Sequence, residues 1–263
     1  MTNPLGCRAP SVAPLRSALA AVALAAMALP SSASAEMTAD EARDIEEIVE
    51  NYILDNPDII ERALLKLQEQ RQAQEKAKQA EAIVSLRDTI YDSEHQAVVG
   101  NPEGTVTIVE FFDYNCSYCR RAVGDMLALM ESNPDLRVVL KEFPILSEES
   151  TEAARIGVAI KDTAPERYLE FHHEMFTRGG VANEAKALAI ADELGLDTRA
   201  LKKAAAQPSV DENIEEVRSL ALALGVNGTP SYVIGDETVA GAVGFDQLQE
   251  RIVEARKCET VVC

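Results

Sequence analysis

Residues 113–121 read Asp-Tyr-Asn-Cys-Ser-Tyr-Cys-Arg-Arg, DYNCSYCRR, and follow directly on the apolar residues Val106, Ile108, Val109, Phe111 and Phe112. The β-branched and aromatic content of residues 105–112 predicts a strand. A helix is predicted to begin at the cysteines and to run to about Ser132. Cys116 and Cys119 therefore sit at a strand-to-helix junction, one helical turn apart.

The remaining elements extend outward from that junction. A second strand is predicted over residues 136–142. Residues 147–206 show only helical patterns, among them 153–160, 168–176 and 185–194, the last placed to end at Gly195. Residues 210–224 form another amphipathic helix, stopped by Gly225. Residues 232–234 and 238–240 read as a hairpin turning at Gly235-Asp236, and residues 245–257 as a closing helix. The order β-α-β, helical block, α-β-β-α is that of an α/β thioredoxin fold with a helical insertion at about 147–206.

Three chemistries compete for the cysteine pair. A structural zinc site needs four ligands; the chain has three histidines, and Cys258 and Cys263 have the wrong spacing for a second pair. An inert staple is disfavoured by position. Cys116 falls near a helix N-terminus, where unpaired backbone N–H groups and the helix dipole stabilise a thiolate. Cys119, a turn further in, is close enough to form a disulfide with it. A redox dithiol needs this arrangement.

The N-terminus sets the compartment. Arg8 and Arg16 precede an apolar stretch over residues 18–29, followed by Ala33-Ser34-Ala35. That is a secretory signal peptide, residues 1–35, cut after Ala35. The stretch is short of the roughly 20 residues that a membrane span requires. Leu5-Gly6-Cys7 lies before the hydrophobic run rather than after it, which excludes a lipoprotein box. Cleavage removes Cys7 and leaves Cys116, Cys119, Cys258 and Cys263, an even set compatible with disulfides in an exported protein. For Cys258 and Cys263 a small C-terminal disulfide is preferred over free thiols or a soft-metal pair. The net charge of −19 argues against nucleic acid and anionic membranes as partners. Within this acidity, the run Asp211, Glu212, Glu215 and Glu216 is a solvated helix face.

Residues 36–92 read as a helical oligomerisation segment and spacer ahead of a catalytic domain over 93–263. Ile45, Ile48, Val49, Tyr52 and Ile53 mark one apolar face at helical spacing. Asn56-Pro57 signals a stop and restart, with Asn56 suited to N-cap and Pro57 to the first helical position. Ile59, Ile60, Ala63, Leu64 and Leu67 resume the stripe. Residues 68–81 keep strong helix formers without large apolar residues, so they form a solvated semi-rigid helix or a linker. Residues 100–104 are a turn cluster.

The segment 110–119, Glu-Phe-Phe-Asp-Tyr-Asn-Cys-Ser-Tyr-Cys, resembles the active-site segment of the DsbA-like thiol–disulfide oxidoreductases. The resemblance extends from about Thr105 to Lys257. It implies that Cys116 is the nucleophile and Cys119 the resolving thiol. Glu110 matches an acidic residue that lies beneath the disulfide and assists proton transfer. Gly228-Thr229-Pro230 matches a loop whose proline is cis and faces the cysteines, with the Thr229 backbone free to pair with an extended substrate. On residue chemistry alone, Pro230 cannot donate to a ladder and belongs at a strand's first residues.

Ser117-Tyr118 and Thr229 resemble the isomerase side of the family. A tyrosine lacks the positive charge a histidine supplies, so the disulfide is expected to be less oxidising. The N-terminal layout is similar to the ScsC (suppressor of copper sensitivity) group of periplasmic disulfide isomerases, in which the extension drives trimerisation. The apolar residues between Ile45 and Leu67 then form an inter-chain core; the alternative packs them onto the catalytic domain.

Two functions follow from the resemblance. One is a periplasmic enzyme that reshuffles disulfides in cysteine-containing exported proteins, kept reduced by a membrane thiol–disulfide reductase and needing no cofactor; a dithiol oxidase is its close variant. The other is a protein that binds Cu(I) at Cys116 and Cys119 as a soft thiolate site. His172 and His173 lie in an apolar helix, away from metal spacing with another histidine, and are expected to pack or face solvent.

Overall fold

The computed structural model describes residues 37–257. The signal peptide, its cleavage site after Ala35, and Cys258 and Cys263 lie outside the described residues. The chain divides into two compact units, one ending at Glu61 and the other starting at Arg62.

In the first unit, helix α1 (Ala39–Asp55) starts with a capping box between Thr38 and Glu41. None of its residues is buried; Ile45, Ile48, Val49 and Tyr52 are all exposed. Asn56 closes this helix, its N–H bonding Ile53 and Tyr52 carbonyls and its side chain donating to Tyr52 O at 2.8 Å. The asparagine side chain thus serves the helix before it, not the one after it as the sequence pattern suggests. Helix α2 (Asp58–Ser85) follows, so residues 68–81 are helical, and their side chains are mostly solvated.

The second unit is built on a five-stranded mixed sheet in the order β1-β3-β2-β4-β5. Its strands are β1 (Ala97–Gly100), β2 (Val106–Phe112), β3 (Leu136–Glu142), β4 (Ser231–Ile234) and β5 (Glu237–Ala240). β2 pairs in parallel with β3 and antiparallel with β4. The crossover between β2 and β3 is helix α4 (Ser117–Ser132), as a parallel pair requires. Every residue of β2 is buried because the sheet is covered on both faces.

Successive β2 side chains alternate between those faces. Val106, Ile108 and Phe112 join a core with α4, the insertion and the closing helix α10 (Phe245–Ala255). Val109 and Phe111 join Val139, Phe143, Val217 and Leu220 on the other face. The insertion comprises α5 (Glu148–Thr163), a 3₁₀ turn (Pro165–Arg167), α6 (Tyr168–Thr177), α7 (Glu184–Glu193) and α8 (Thr198–Ala205). Helix α9 (Pro208–Ala223) returns the chain to the sheet.

Two features differ from the sequence reading. β1 is an edge strand that the turn-rich pattern around Gly100 concealed; it pairs antiparallel with β3. The packed domain also starts before residue 93. Ile83, Ile90 and Tyr91, at the end of α2 and in the short helix α3 (Arg87–Tyr91), are buried with Val109 and Phe111. Hydrogen bonds hold α3: Tyr91 Oη donates to Gly235 O at 2.9 Å, and the buried Lys141 Nζ to Thr89 O at 2.8 Å.

Candidate active site

Cys116 is the N-cap residue of α4. Its own N–H donates to Asp113 O at 3.0 Å, and its Sγ accepts from the Cys119 N–H at 3.5 Å. A sulfur that caps a helix receives unpaired backbone donors and the positive end of the dipole. Both cysteines are free thiols. Cys116 is 6% exposed and Cys119 is 1% exposed, so access to Cys116 is narrower than an open surface thiol would have.

The two thiols have opposite environments. The Cys119 thiol beside it, able to donate to a thiolate, is the first reason that Cys116 is held down at about 5; the Thr229 side chain and the Cys119 and Tyr118 N–H groups act the same way, against partial burial. Burial pushes the Cys119 thiol far up, and the Cys116 sulfur and Glu110 carboxyl add to this. Deprotonation therefore falls on Cys116 alone near neutral pH. The tyrosine of the dipeptide supplies none of this lowering through its ring; only its backbone N–H contributes.

Glu110 lies on the same face of β2 as Ile108 and Phe112, beneath the start of α4. It is 3% exposed, and burial, followed by the charge of Cys116, pushes it up to about 8. It can hold or release a proton near neutral pH. Tyr232 stands opposite it in the β2–β4 register.

Pro230 begins the hairpin of β4 and β5, and its bond to Thr229 is cis. The Cys116 thiol donates to Thr229 O at 3.1 Å. The Thr229 hydroxyl has no hydrogen-bond partner among the described residues, which leaves it available to a thiolate. Cys116, Cys119, Glu110, Thr229 and Pro230 are thus brought together.

Asp113 and Asn115 were not anticipated. Asp113 is 2% exposed. Its Oδ1 accepts from the Asn115 N–H and Ser150 Oγ, both at 2.8 Å; its Oδ2 accepts from the N–H groups of Ile145 at 2.9 Å and Leu146 at 3.0 Å. Asn115 donates to Ser150 Oγ at 3.0 Å and Ala182 O at 2.8 Å, and accepts from the Ala182 N–H at 2.8 Å. These two side chains tie the cysteine loop to the segment after β3 and to the insertion. The signal for them is faint: short polar residues beside a helix start point to local turns, not to partners tens of residues away.

His172 is buried among Phe112, Tyr114, Tyr168 and Phe176, and burial pushes it down to about 3. It is a packing residue, in line with its sequence reading. Tyr114 and Tyr168 both donate to the buried Glu142, at 3.2 and 2.9 Å. Among the described residues no group of three or more His, Cys, Asp or Glu could hold a metal ion.

Comparison with known proteins agrees with this architecture. A thioredoxin-like oxidoreductase from Silicibacter pomeroyi DSS-3 is 44% identical over 65% of this chain and 98% of its own, with a TM-score of 0.63. A linker-deletion mutant of Proteus mirabilis ScsC is 25% identical, covers 85% of this chain and 99% of its own, and has a TM-score of 0.64. Salmonella enterica Typhimurium BcfH is 27% identical over 82% of this chain and 96% of its own, at 0.70. Among curated relatives, the Na(+)/H(+) antiporter NhaA of Herminiimonas arsenicoxydans is 28% identical over 57% of this chain, which spans only 24% of that protein. Disulfide bond formation protein D of Bacillus subtilis (strain 168) is 21% identical over 62% of this chain and 78% of its own. Residues 41–74 match the Copper resistance protein ScsC N-terminal domain. Residues 107–253, more than half of the chain, match the DSBA-like thioredoxin domain, and the chain belongs to that family.

Proposed function

We propose that the protein is a periplasmic thiol–disulfide oxidoreductase that acts chiefly as a disulfide isomerase on exported proteins. The observation that carries the reading is the asymmetry of the two thiols: Cys116 held down at about 5, Cys119 pushed up. The Cys116 thiolate attacks one sulfur of a substrate disulfide. The substrate S–S bond breaks, a mixed disulfide forms, and the other substrate sulfur leaves as a thiolate. That thiolate attacks a second disulfide of the substrate, and the substrate thiolate so displaced attacks the substrate sulfur of the mixed disulfide. A new substrate disulfide forms, the bond to Cys116 breaks and Cys116 leaves as a thiolate, which completes an isomerisation with no net electron transfer. Alternatively Cys119, its proton passing to Glu110 when that carboxyl is ionised, attacks the Cys116 sulfur; a Cys116–Cys119 disulfide forms, the mixed disulfide breaks and the substrate sulfur leaves reduced.

Deprotonation of Cys116 also removes the donor that occupies Thr229 O, and so frees that carbonyl for the N–H of an extended substrate. The isomerase assignment is supported by Ser117-Tyr118, Thr229 and the ScsC N-terminal domain match. The exposed apolar residues of α1 suit association with further copies of the chain, here taken as three. Burial stabilises each large side chain by roughly 1.5–3 kcal/mol before ordering costs. A membrane reductase would keep Cys116 reduced. The same domain match favours a second reading, Cu(I) held by Cys116 and Cys119; two soft sulfurs suit that ion.

The test compares refolding of a scrambled-disulfide substrate with oxidation of a reduced one, for the whole chain and one lacking residues 37–61. Light scattering gives the assembly state of each. The whole chain should be trimeric and reshuffle; the shortened one should be monomeric, oxidise and reshuffle poorly. Oxidation without reshuffling by the whole chain would overturn the isomerase reading. Tight Cu(I) binding with neither activity would favour the second.

A further inference from the structure

Beside Cys116 lies a groove of about 300 Å³ lined by Tyr118, Arg121, the segment 227–231 and the segment 240–242. No aspartate or glutamate is among its lining residues, in a chain with 44 of them and a net charge of −19. Arg121 forms no ion pair among the described residues; its guanidinium lies 4.4 Å from the centre of the exposed Tyr118 ring. A cation–π contact fixes the guanidinium plane while leaving its N–H fork unspent. Two further cations flank the cysteine helix without a carboxylate partner. Arg120 is exposed, and the charge of Lys186 is disfavoured first by burial and then by Arg120 and Arg178 nearby. Lys186 Nζ donates only to the carbonyls of Met175 and Arg178, at 2.8 and 2.7 Å. The groove lining thus carries one arginine and no carboxylate, on an acidic molecule.

We infer that Arg121 is a specificity-determining residue: it selects extended substrate segments that carry an acidic side chain within two residues of the reactive cysteine, seated over Tyr118. This rests on the oxidoreductase reading. A segment aligned along Thr229 runs through the groove, where a carboxylate meets a planar fork suited to bidentate bonding. The acidic side chain would otherwise be repelled by the Cys116 thiolate and by the surrounding surface. Arg121 offsets both.

The test uses three peptides with one cysteine each, identical except for Glu, Gln or Lys two residues from it, activated as 2-thiopyridyl mixed disulfides. The Cys116 thiolate attacks the peptide sulfur, the peptide–thiopyridine S–S bond breaks, and 2-thiopyridone is released and read by its absorbance. With the reduced wild-type chain, the Glu peptide should react about 2- to 5-fold faster than the Gln peptide, and the Lys peptide slowest. The advantage should shrink in 0.5 M salt. Arg121→Gln should bring the Glu-to-Gln ratio to about 1, and Arg121→Lys should restore part of it. A wild-type ratio of 1 or less, an unchanged ratio in Arg121→Gln, or a preference that follows Arg120→Gln instead would overturn the assignment. Failure of the Gln peptide to react at all would sink the oxidoreductase reading itself.

Discussion

Replacing Asp113 with asparagine tests whether this buried carboxylate frames the cysteine loop. Asp113 accepts four hydrogen bonds, two per oxygen, from Asn115, Ser150, Ile145 and Leu146 at 2.8–3.0 Å. Asparagine keeps one acceptor oxygen. If that oxygen keeps Asn115 and Ser150, the amide NH2 faces the Ile145 and Leu146 N–H groups, donor against donor. Hydrogen bonds to a charged group contribute about 1.5–3 kcal/mol each, and a buried donor left unpaired costs about 1–3. Two such losses set an upper bound near 6 kcal/mol. Ile145 and Leu146 are 40% and 54% exposed, so their segment can swing toward water and recover part of this.

The expected destabilisation is about 3 kcal/mol, seen as a lower urea midpoint with little change in slope for the oxidised protein. Thermally that is a fall of roughly 6–12 °C for a domain of this size. Ser150→Ala, which removes one of the four donors, should cost about 1 kcal/mol, and the double variant should cost less than the sum because the partners are shared. Asp113→Asn within 0.5 kcal/mol of wild type would refute the framing role.

Other outcomes follow from the same site. Alkylation of the reduced protein should label Cys116 and spare Cys119, with a rate midpoint near pH 5; a midpoint near 8.5 or preferential labelling of Cys119 would contradict the thiol assignment. Glu110 is pushed up to about 8, so folding of the reduced protein is opposed once the unfolded chain ionises this group. The contribution of this group to stability should fall as pH rises from about 4.5 to 8, by at most about 5 kcal/mol, while the lowered Cys116 thiol of the reduced protein acts in the opposite direction above about pH 5. Glu110→Gln should therefore gain stability relative to wild type as pH rises across this range, and an unchanged difference between the two in chemical denaturation would count against it. Thr229→Val removes a hydroxyl that has no other partner and should raise the Cys116 alkylation midpoint and make the disulfide less oxidising; if neither changes, the hydroxyl is a spectator.

What the sequence discloses here is what arises locally. The cysteine pair, the strand before it and the helix after it lie within one short run, so the helix-terminus chemistry of Cys116 can be read from spacing alone. The limits of α4 and β3 agree with their sequence expectation for the same reason. β1 has four residues and gains its pairing from β3, some forty residues on; no local alternation could announce it. The true start of the packed domain was equally hidden. Ile83, Ile90 and Tyr91 look like a weak continuation of the spacer until Val109 and Phe111 appear across from them. Asp113 is the sharpest case. In sequence it is one more turn residue before a helix, but Ile145 and Leu146 give it their N–H groups, and those two residues have no composition that marks them as donors. Polar framing of an active-site loop is a contract between backbone groups, and backbone groups leave no trace in the amino-acid code. A dithiol's chemistry can thus be read from its immediate neighbours, whereas the rigidity that makes its geometry reproducible depends on the closure of the whole chain.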